Sequence, residues 1–185
     1  MKLSNWFEKG MDAESYIDSM ETHKDNLLSI YNRFNVREED SDLFKRLKEK
    51  KIRVIVLTED WCGDAMLNVP ILLKIAEKSS MDVRMLLRDS NLELMDQYLT
   101  NGTSRAIPIF IFIDKEGNEK AVWGPRAPKV QAFVDDERAK LPPKEDEQFE
   151  EKQKAMYKNM TATFASDENV WNQVYESIID KLKTV

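Results

Sequence analysis

The sequence predicts an α/β protein with a central mixed four-stranded sheet flanked by helices, and with extra helices at both ends. Apolar runs alternate with helical periodicity in the middle of the chain, a short turn at Gly117 joins the last two of these runs, and the two ends carry only helical patterns. We therefore expect three parts: an N-terminal helical extension over residues 1–39, the sheet domain over residues 40–141, and a C-terminal helical extension over residues 142–185 that packs on the domain.

The N-terminal extension is predicted to hold one helix. Asp12 can cap a helix that begins at Ala13, because a carboxylate accepts hydrogen bonds from the free N–H groups of the first turn. Apolar side chains then recur on one face as far as Phe34.

The sheet domain is predicted to alternate strands and helices. Its elements are a helix capped by Ser41, a strand from Ile52 to Leu57, a helix from Cys62 to about Ser79, a strand from Val83 to Leu87, a helix from Leu92 to Leu99, a strand from Ile107 to Ile113, a strand from Ala121 to Trp123, and a helix from Pro128. The helical crossovers predict that the first strands are parallel. The turn at Gly117 predicts an antiparallel last pair.

The C-terminal extension begins at Leu141-Pro142-Pro143, which marks a natural break. It is predicted to form two helices, and the second carries an apolar stripe at helical spacing from Val170 to Leu182. This stripe has to be buried. We expect it to pack on the sheet domain or on the N-terminal helix, and a partner groove or dimer interface is the alternative.

Composition excludes several function classes. Cys62 is the one cysteine, so no internal disulfide can form, and the formal net charge of -6 argues against nucleic-acid binding. No apolar run is long enough to span a membrane and no signal peptide is recognisable, so we expect a cytoplasmic protein without membrane contact. His23 is the one histidine and no glycine-rich phosphate loop occurs, so we expect no metal and no cofactor.

The thiol of Cys62 occupies a position suited to reactivity. A buried strand is predicted to end near Leu57, and the next helix begins at about Cys62, where the helix dipole and free N–H groups favour a thiolate. The carboxylates of Glu59, Asp60 and Asp64 oppose a second negative charge. We expect the balance to lower the pKa of the thiol.

The stretch Trp61-Cys62-Gly63-Asp64-Ala65 resembles the thioredoxin active-site turn, W-C-G-P-C. Pro70 stands where thioredoxins carry the proline that kinks their helix, Ile107-Pro108 resembles the family's cis-proline and following strand, and Gly124 matches another habitual glycine. Residues 40–141 thus resemble the thioredoxin-like family, which implies a thioredoxin-like fold. More narrowly, the chain resembles the W-C-G-D-A monothiol variant of the low-GC Gram-positive type.

Three residues depart from the family pattern. Ala65 replaces the resolving cysteine, and Val56 replaces a buried carboxylate that helps to move a proton from that second thiol. These losses agree with each other, because a protein without the resolving thiol has no use for the carboxylate. Asp64 replaces the usual proline of the turn, and we expect it to make the turn less rigid and more acidic.

The resemblance implies thiol–disulfide exchange with Cys62 as the catalytic residue. Substrate would contact Trp61, Gly63 and Asp64 on one side and the Ile107-Pro108 segment on the other. The expected partners are protein disulfides or low-molecular-weight thiols, and a thiol from outside the chain would have to resolve the mixed disulfide.

Two other hypotheses stay open. The chain is alternatively a redox-inactive binding module, with a surface formed by the acidic rim of Glu59, Asp60 and Asp64, by residues 123–126 and by the flanking helices. Arg126 itself is interpreted as an ordinary surface residue. A disulfide-linked homodimer through Cys62 is the third hypothesis, and the sequence does not predict the oligomeric state.

Overall fold

The computed structural model of the protein describes residues 2–185. The strands are β1 (Arg53–Thr58), β2 (Asp82–Leu87), β3 (Ile109–Ile113) and β4 (Glu119–Trp123). The α-helices are α1 (Leu3–Lys9), α2 (Ala13–Ser19), α3 (Lys24–Arg33), α4 (Ser41–Glu49), α5 (Gly63–Ser79), α6 (Leu92–Met95), α7 (Pro128–Ala139), α8 (Phe149–Ser166) and α9 (Glu168–Leu182). The predicted α/β class with a mixed four-stranded sheet is confirmed.

The sheet has the strand order β2-β1-β3-β4. Strands β1 and β2 are parallel, as predicted, and β3 and β4 form the predicted antiparallel pair. The prediction of parallel strands is wrong for β3, which runs antiparallel to β1. Residues 88–108, between β2 and β3, form a 3-10 turn, the four-residue α6 and further turns, and they contain no crossover helix that runs back along the sheet. Strand β3 therefore starts at the end of the sheet where β1 and β2 stop.

Residues 2–39 of the N-terminal extension contain three α-helices rather than the predicted one. Asp12 caps α2 as expected, accepting a hydrogen bond from the Ser15 backbone N–H at 2.8 Å. The predicted helix breaks after α2 because the Asp60 carboxylate binds the backbone N–H groups of Glu21 and Thr22, at 2.8 and 3.1 Å. Residue 23 then adopts a left-handed conformation and α3 begins. Helix α1 lies upstream of every predicted element.

Two boundaries inside the sheet domain also differ from prediction. Ser41 is the first residue of α4 rather than its cap, because a short 3-10 turn over Glu38–Asp40 leads directly into the helix. Helix α6 ends at Met95, and the chain continues to Leu99 in turns.

A single apolar core connects all three parts of the chain. It is continuous from Trp6 in α1 to Leu182 in α9. The stripe of α9 lies buried against α5 and β4, and the Trp123 indole donates to the Ser177 hydroxyl at 2.9 Å. Helix α5 crosses this core, with Pro70 in its interior and Cys62 as its N-cap residue.

The continuity of the core predicts that α9 unfolds together with the sheet. Ile178→Ala should lower the free energy of unfolding by about 2–5 kcal/mol, because Ile178 is fully buried and its loss leaves a cavity. Chemical denaturation followed by fluorescence and by circular dichroism should show one shared transition. The exposed Lys181→Ala on the same helix is the control. Two separate transitions, or a loss of less than about 1 kcal/mol, would mean that α9 is not part of the common core.

Candidate active site around Cys62

Cys62 lies where β1 passes into α5. Its backbone N–H donates to the Glu59 carbonyl at 3.3 Å, and its carbonyl accepts from the Met66 N–H at 3.0 Å, which begins the helix. The Sγ atom donates to the carbonyl oxygen of Ile107 at 3.4 Å, and the Ile107-Pro108 peptide bond is cis. The structure therefore brings together the turn and the proline segment that the sequence singles out separately.

Burial controls the acidity of this thiol. Cys62 is 8% exposed, and burial raises its pKa to about 11, with a further contribution from the negative charge of Asp64. The backbone N–H groups of Ala65 and Asp64 and the charge of Arg126 act in the opposite direction but are outweighed. The prediction of a lowered pKa is therefore wrong. The N–H groups at the helix N-terminus stabilise the thiolate, as expected. The free-energy cost of removing the thiolate from water is larger than this stabilisation.

A mostly buried ion pair lies beside the thiol. The Arg126 guanidinium binds Asp64 in a bidentate manner, with Nε–Oδ1 at 2.7 Å and Nη2–Oδ2 at 2.6 Å, and their side chains are only 15% and 13% exposed. Burial raises the pKa of the Asp64 carboxyl, and Arg126 opposes that shift. Nη1 of Arg126 donates to Gln131 in α7 at 2.9 Å.

This pair corrects two predictions. Arg126 is not an ordinary surface residue, and Asp64 does not loosen the turn, because the ion pair connects the first turn of α5 to the segment that precedes α7. Nothing in the sequence near Asp64 or near Arg126 indicates the other, since 62 residues separate them along the chain.

Gly124 lets the segment before α7 approach the proline of the site. Its φ is 129°, and a Cβ on this residue would lie 2.3 Å from the Pro108 carbonyl oxygen, so no larger side chain fits. The next residue is held as well, because the Asn68 amide donates to the Pro125 carbonyl at 3.0 Å. The Asp64–Arg126 pair and these two contacts together fix this segment against α5 and β3.

The three carboxylates predicted to form an acidic rim are all engaged within the protein. Glu59 is buried and accepts from the Asp89 backbone N–H at 2.8 Å. Asp60 holds the connection between α2 and α3, and Asp64 binds Arg126. These groups therefore do not form a free acidic surface around the thiol.

Trp61 supplies the exposed apolar area next to Cys62. Its side chain is 49% exposed, and the Arg88 guanidinium lies over the ring at 4.9 Å from the centroid. Arg88 is held in turn by the Arg105 carbonyl at 3.1 Å. An indole in this position presents an amphipathic surface of the kind that is enriched in protein interfaces.

Both extensions contribute residues near the site that the sequence does not indicate. Helix α8 passes beside Gly63, where an added Cβ would lie 3.9 Å from the Thr161 hydroxyl. From the N-terminal side, the Tyr16 hydroxyl lies 3.1 Å from the Thr58 hydroxyl at the end of β1, and burial raises the pKa of Tyr16 to about 12.

The two positions that would hold a second thiol and a proton-accepting carboxylate in a dithiol site are occupied by buried apolar residues. Ala65 is 1% exposed, and Val56 is fully buried in β1. Neither position offers a thiol or a proton acceptor to Cys62.

Two further classes of feature are missing from residues 2–185. No group of three or more histidine, cysteine, aspartate or glutamate side chains is placed to hold a metal ion. No helix in the same range is long and apolar enough to cross a membrane.

The mixed sheet, the cysteine that begins α5 and the proline that precedes β3 together define a protein with a thioredoxin-like fold and a single thiol. A thioredoxin family model, Thioredoxin_9, matches residues 10–140, so the chain belongs to that family. The match begins before α2, and the family therefore includes most of the N-terminal extension.

Two solved structures are similar to this chain in fold. A protein of unknown function from Pseudomonas aeruginosa has a TM-score of 0.66 at 15% identity, with 96% of this chain and 97% of the other covered. An HIV epitope scaffold has a TM-score of 0.67 at 16% identity, with 100% of this chain and 97% of the scaffold covered. No curated protein matches the chain.

The Asp64–Arg126 pair predicts opposite effects of two substitutions. Asp64→Asn should lower the pKa of Cys62 and speed its alkylation at pH 8 by about tenfold, since one nearby charge shifts a pKa by about one unit or more. Arg126→Gln should raise that pKa and cost about 3–5 kcal/mol of stability, because it leaves a buried carboxylate unpaired. The rate of iodoacetamide alkylation against pH measures both effects, and the rate should rise with pH because only the thiolate reacts.

Asp60→Asn is the matched control for these two variants. Asp60 is two residues from Cys62, but its carboxylate binds the connection between α2 and α3. The Asp60→Asn substitution should leave the pH profile of Cys62 alkylation unchanged. Equal acceleration by Asp60→Asn and Asp64→Asn would contradict a specific role for the buried pair.

Proposed function

We propose that this protein is a cytoplasmic monothiol thioredoxin-like protein, of the W-C-G-D-A type, that exchanges disulfides at Cys62 with the help of an external thiol. The observation that carries the proposal is the placement of the Cys62 sulfur at the start of α5, 3.4 Å from the carbonyl oxygen that precedes Pro108. A disulfide approaching the exposed face of Trp61 reaches this sulfur beside a backbone segment that can align an extended partner chain.

The proposed reaction has two steps, formation of a mixed disulfide at Cys62 and its resolution by another thiol. In the first, the Cys62 thiol loses its proton to solvent, and the thiolate attacks one sulfur of a partner disulfide. A bond forms between Cys62 and that sulfur, while the second partner sulfur leaves as a thiolate. In the second step, a thiolate from another molecule attacks the partner sulfur of the mixed disulfide and releases Cys62, which takes up a proton. Ala65 supplies no second thiol, so both steps need an outside partner.

The raised pKa of Cys62 sets the rates of both steps. A pKa of about 11 leaves the thiolate at pH 7 in roughly one molecule in ten thousand, so attack by the resting protein is slow. A thiolate with a high pKa is also a poor leaving group, so the mixed disulfide is released slowly. We infer a protein that forms long-lived mixed disulfides rather than one that turns over rapidly.

The other residues of the site contact the partner or influence the protonation of the thiol in this proposal. Trp61 contributes apolar contact area, and the Ile107-Pro108 segment aligns the partner backbone next to the sulfur. Gly63 keeps the start of α5 without a side chain where α8 passes. Burial and the charge of Asp64 keep the resting thiol protonated, and Asp64 also holds Arg126 in place.

Burial of the thiol favours a second candidate, a redox-inactive binding module on the thioredoxin scaffold. Cys62 is 8% exposed and protonated, Ala65 and Val56 are apolar, and Trp61 remains available as a contact residue. In that case the thiol packs against the Ile107 carbonyl and performs no chemistry, while the same face of the protein binds a partner without a covalent bond.

Intact-mass spectrometry with oxidised glutathione distinguishes the two functions. The proposed exchange predicts a single glutathione adduct on the native protein, formed slowly at pH 7 and faster at pH 9, and absent from Cys62→Ser. Added dithiothreitol should remove the adduct, and more slowly than it reduces oxidised glutathione itself, because Cys62 is the poorer leaving group.

The binding module predicts the opposite results. Native protein would stay unmodified at every glutathione concentration, and Cys62→Ser would retain any partner that the unaltered protein binds. A guanidinium-unfolded sample is the control, since its exposed thiol reacts under either hypothesis and shows that the reagents are active.

A further inference from the structure

A cleft of about 540 Å³ separates the N-terminal extension from the sheet domain, away from Cys62. Its walls are α2 and α3 on one side and the C-terminal half of α5 with the start of β2 on the other. Cys62 is at the opposite end of α5, roughly 16 Å along the helix from Leu73 in the wall. The volume lies within the usual range of small-molecule sites, about 300–1,000 Å³.

The floor of this cleft is apolar. It is formed by the side chains of Ala13, Ile17, Leu28, Leu73, Ala76, Met81 and Val83. Ile17 and Leu28 stay only half-buried although both helices face the core. A contiguous apolar surface left open to water at a concave site is typical of a binding site, because covering it removes apolar area from water.

The rim of the cleft is acidic. Five carboxylates line it, from Asp12, Glu14, Asp18, Glu77 and Asp82, and Lys24 is the cation among the lining residues. Ion pairs within the protein neutralise only some of this charge: Lys24 reaches Asp18 at 3.4 Å, Lys74 reaches Glu77 at 3.7 Å and Arg84 reaches Asp82 at 3.5 Å.

Two carboxylates of the rim form no ion pair within residues 2–185, although the charge of Arg84 also contributes to the lowered pKa of Asp12. Asp12 accepts hydrogen bonds from the backbone N–H and hydroxyl of Ser15, which lower its pKa and hold it ionised. Glu14 is exposed and has no hydrogen-bond or ion-pair partner among residues 2–185. The rim therefore retains a negative charge next to an apolar floor.

At one wall, the ammonium group of a lysine side chain of this protein already lies against an aromatic ring. The Lys74 Nζ atom lies over the Tyr31 ring at 4.0 Å from its centroid, and the Tyr31 hydroxyl donates to the Glu77 carboxylate that Lys74 also approaches. Aromatic rings and carboxylates are the groups that recognise ammonium ions in ligand sites. The lining of the cleft thus combines apolar contact area with preference for a positive charge.

We propose that this cleft binds an organic cation with an apolar body, such as an alkylammonium compound, at a site separate from Cys62. The alkyl part lies on the floor between Ile17, Leu28 and Leu73, and the cationic head faces Asp12 and Glu14 at the rim. This assignment does not depend on the redox activity of the thiol.

Three six-carbon probes of different charge test the proposal: hexyltrimethylammonium, hexanol and hexanoate. In ¹H–¹⁵N NMR titrations, the ammonium probe should shift amides of residues 12–31 and 73–83 and leave Cys62 unaffected. It should bind at least about threefold more tightly than hexanol, which is the scale of a surface charge interaction, and hexanoate should not bind. Salt at 1 M should remove most of this preference because it screens exposed charges.

Charge and volume variants of the full chain complete the test. Glu14→Lys should weaken hexyltrimethylammonium binding about fivefold, while Glu21→Lys, on the same extension but outside the cleft, should leave it unchanged. Leu28→Trp should weaken all apolar binding by filling the floor. Both charge variants replace exposed residues, so they should fold normally.

Several outcomes would overturn the proposal. Equal affinity for hexanol and hexyltrimethylammonium, equal weakening by Glu14→Lys and Glu21→Lys, or no shifts in the cleft would each show that no cation is recognised there. Shifts of the same amides on concentrating the free protein would assign the cleft to a second copy of the chain instead.

Discussion

A carboxylate taken out of water needs a cation within reach, and in this protein Asp64 finds it in Arg126. The pair joins the first turn of α5 to the segment before α7, and that segment in turn lies against Pro108 through Gly124. The loop geometry around Cys62 therefore depends on an interaction between residues that are distant in sequence, together with the Gly124–Pro108 approach and the Asn68–Pro125 hydrogen bond. Besides burial, the same pair acts on the thiol, because Asp64 disfavours the thiolate and Arg126 favours it.

Desolvation is the effect that distinguishes this site from the reactive turn that its sequence resembles. The helix N-terminus does stabilise negative charge on Cys62, but the neighbouring chain segments leave little room for water, and the pKa rises to about 11. Helix α8 passes beside Gly63, and Tyr16 of α2 lies at the end of β1. The two extensions are thus part of the surroundings of the site as well as of the common core.

Local signals in the sequence predicted local structure well. Asp12 as a cap, the apolar run that became β1 and the turn at Gly117 each depend on neighbouring residues, and the structure agrees with them. Two failures involve contacts between distant segments: Asp60 divides the predicted first helix, and Arg126 pairs with Asp64. The direction of β3 and the start of α4 instead follow from short turns that the apolar pattern does not reveal. The acidity of Cys62 could not be predicted because burial depends on how the whole chain packs.

The state of the Cys62 thiol in the folded protein can be observed directly, because a protein with one cysteine gives a single resonance when its cysteine Cβ is labelled with ¹³C. The structure predicts that this resonance keeps the chemical shift of a neutral thiol through neutral and mildly alkaline pH and moves only as the pH approaches 11. A midpoint at about 7 or below, well under the usual cysteine pKa of about 8.5, would contradict the buried, protonated thiol on which the account rests.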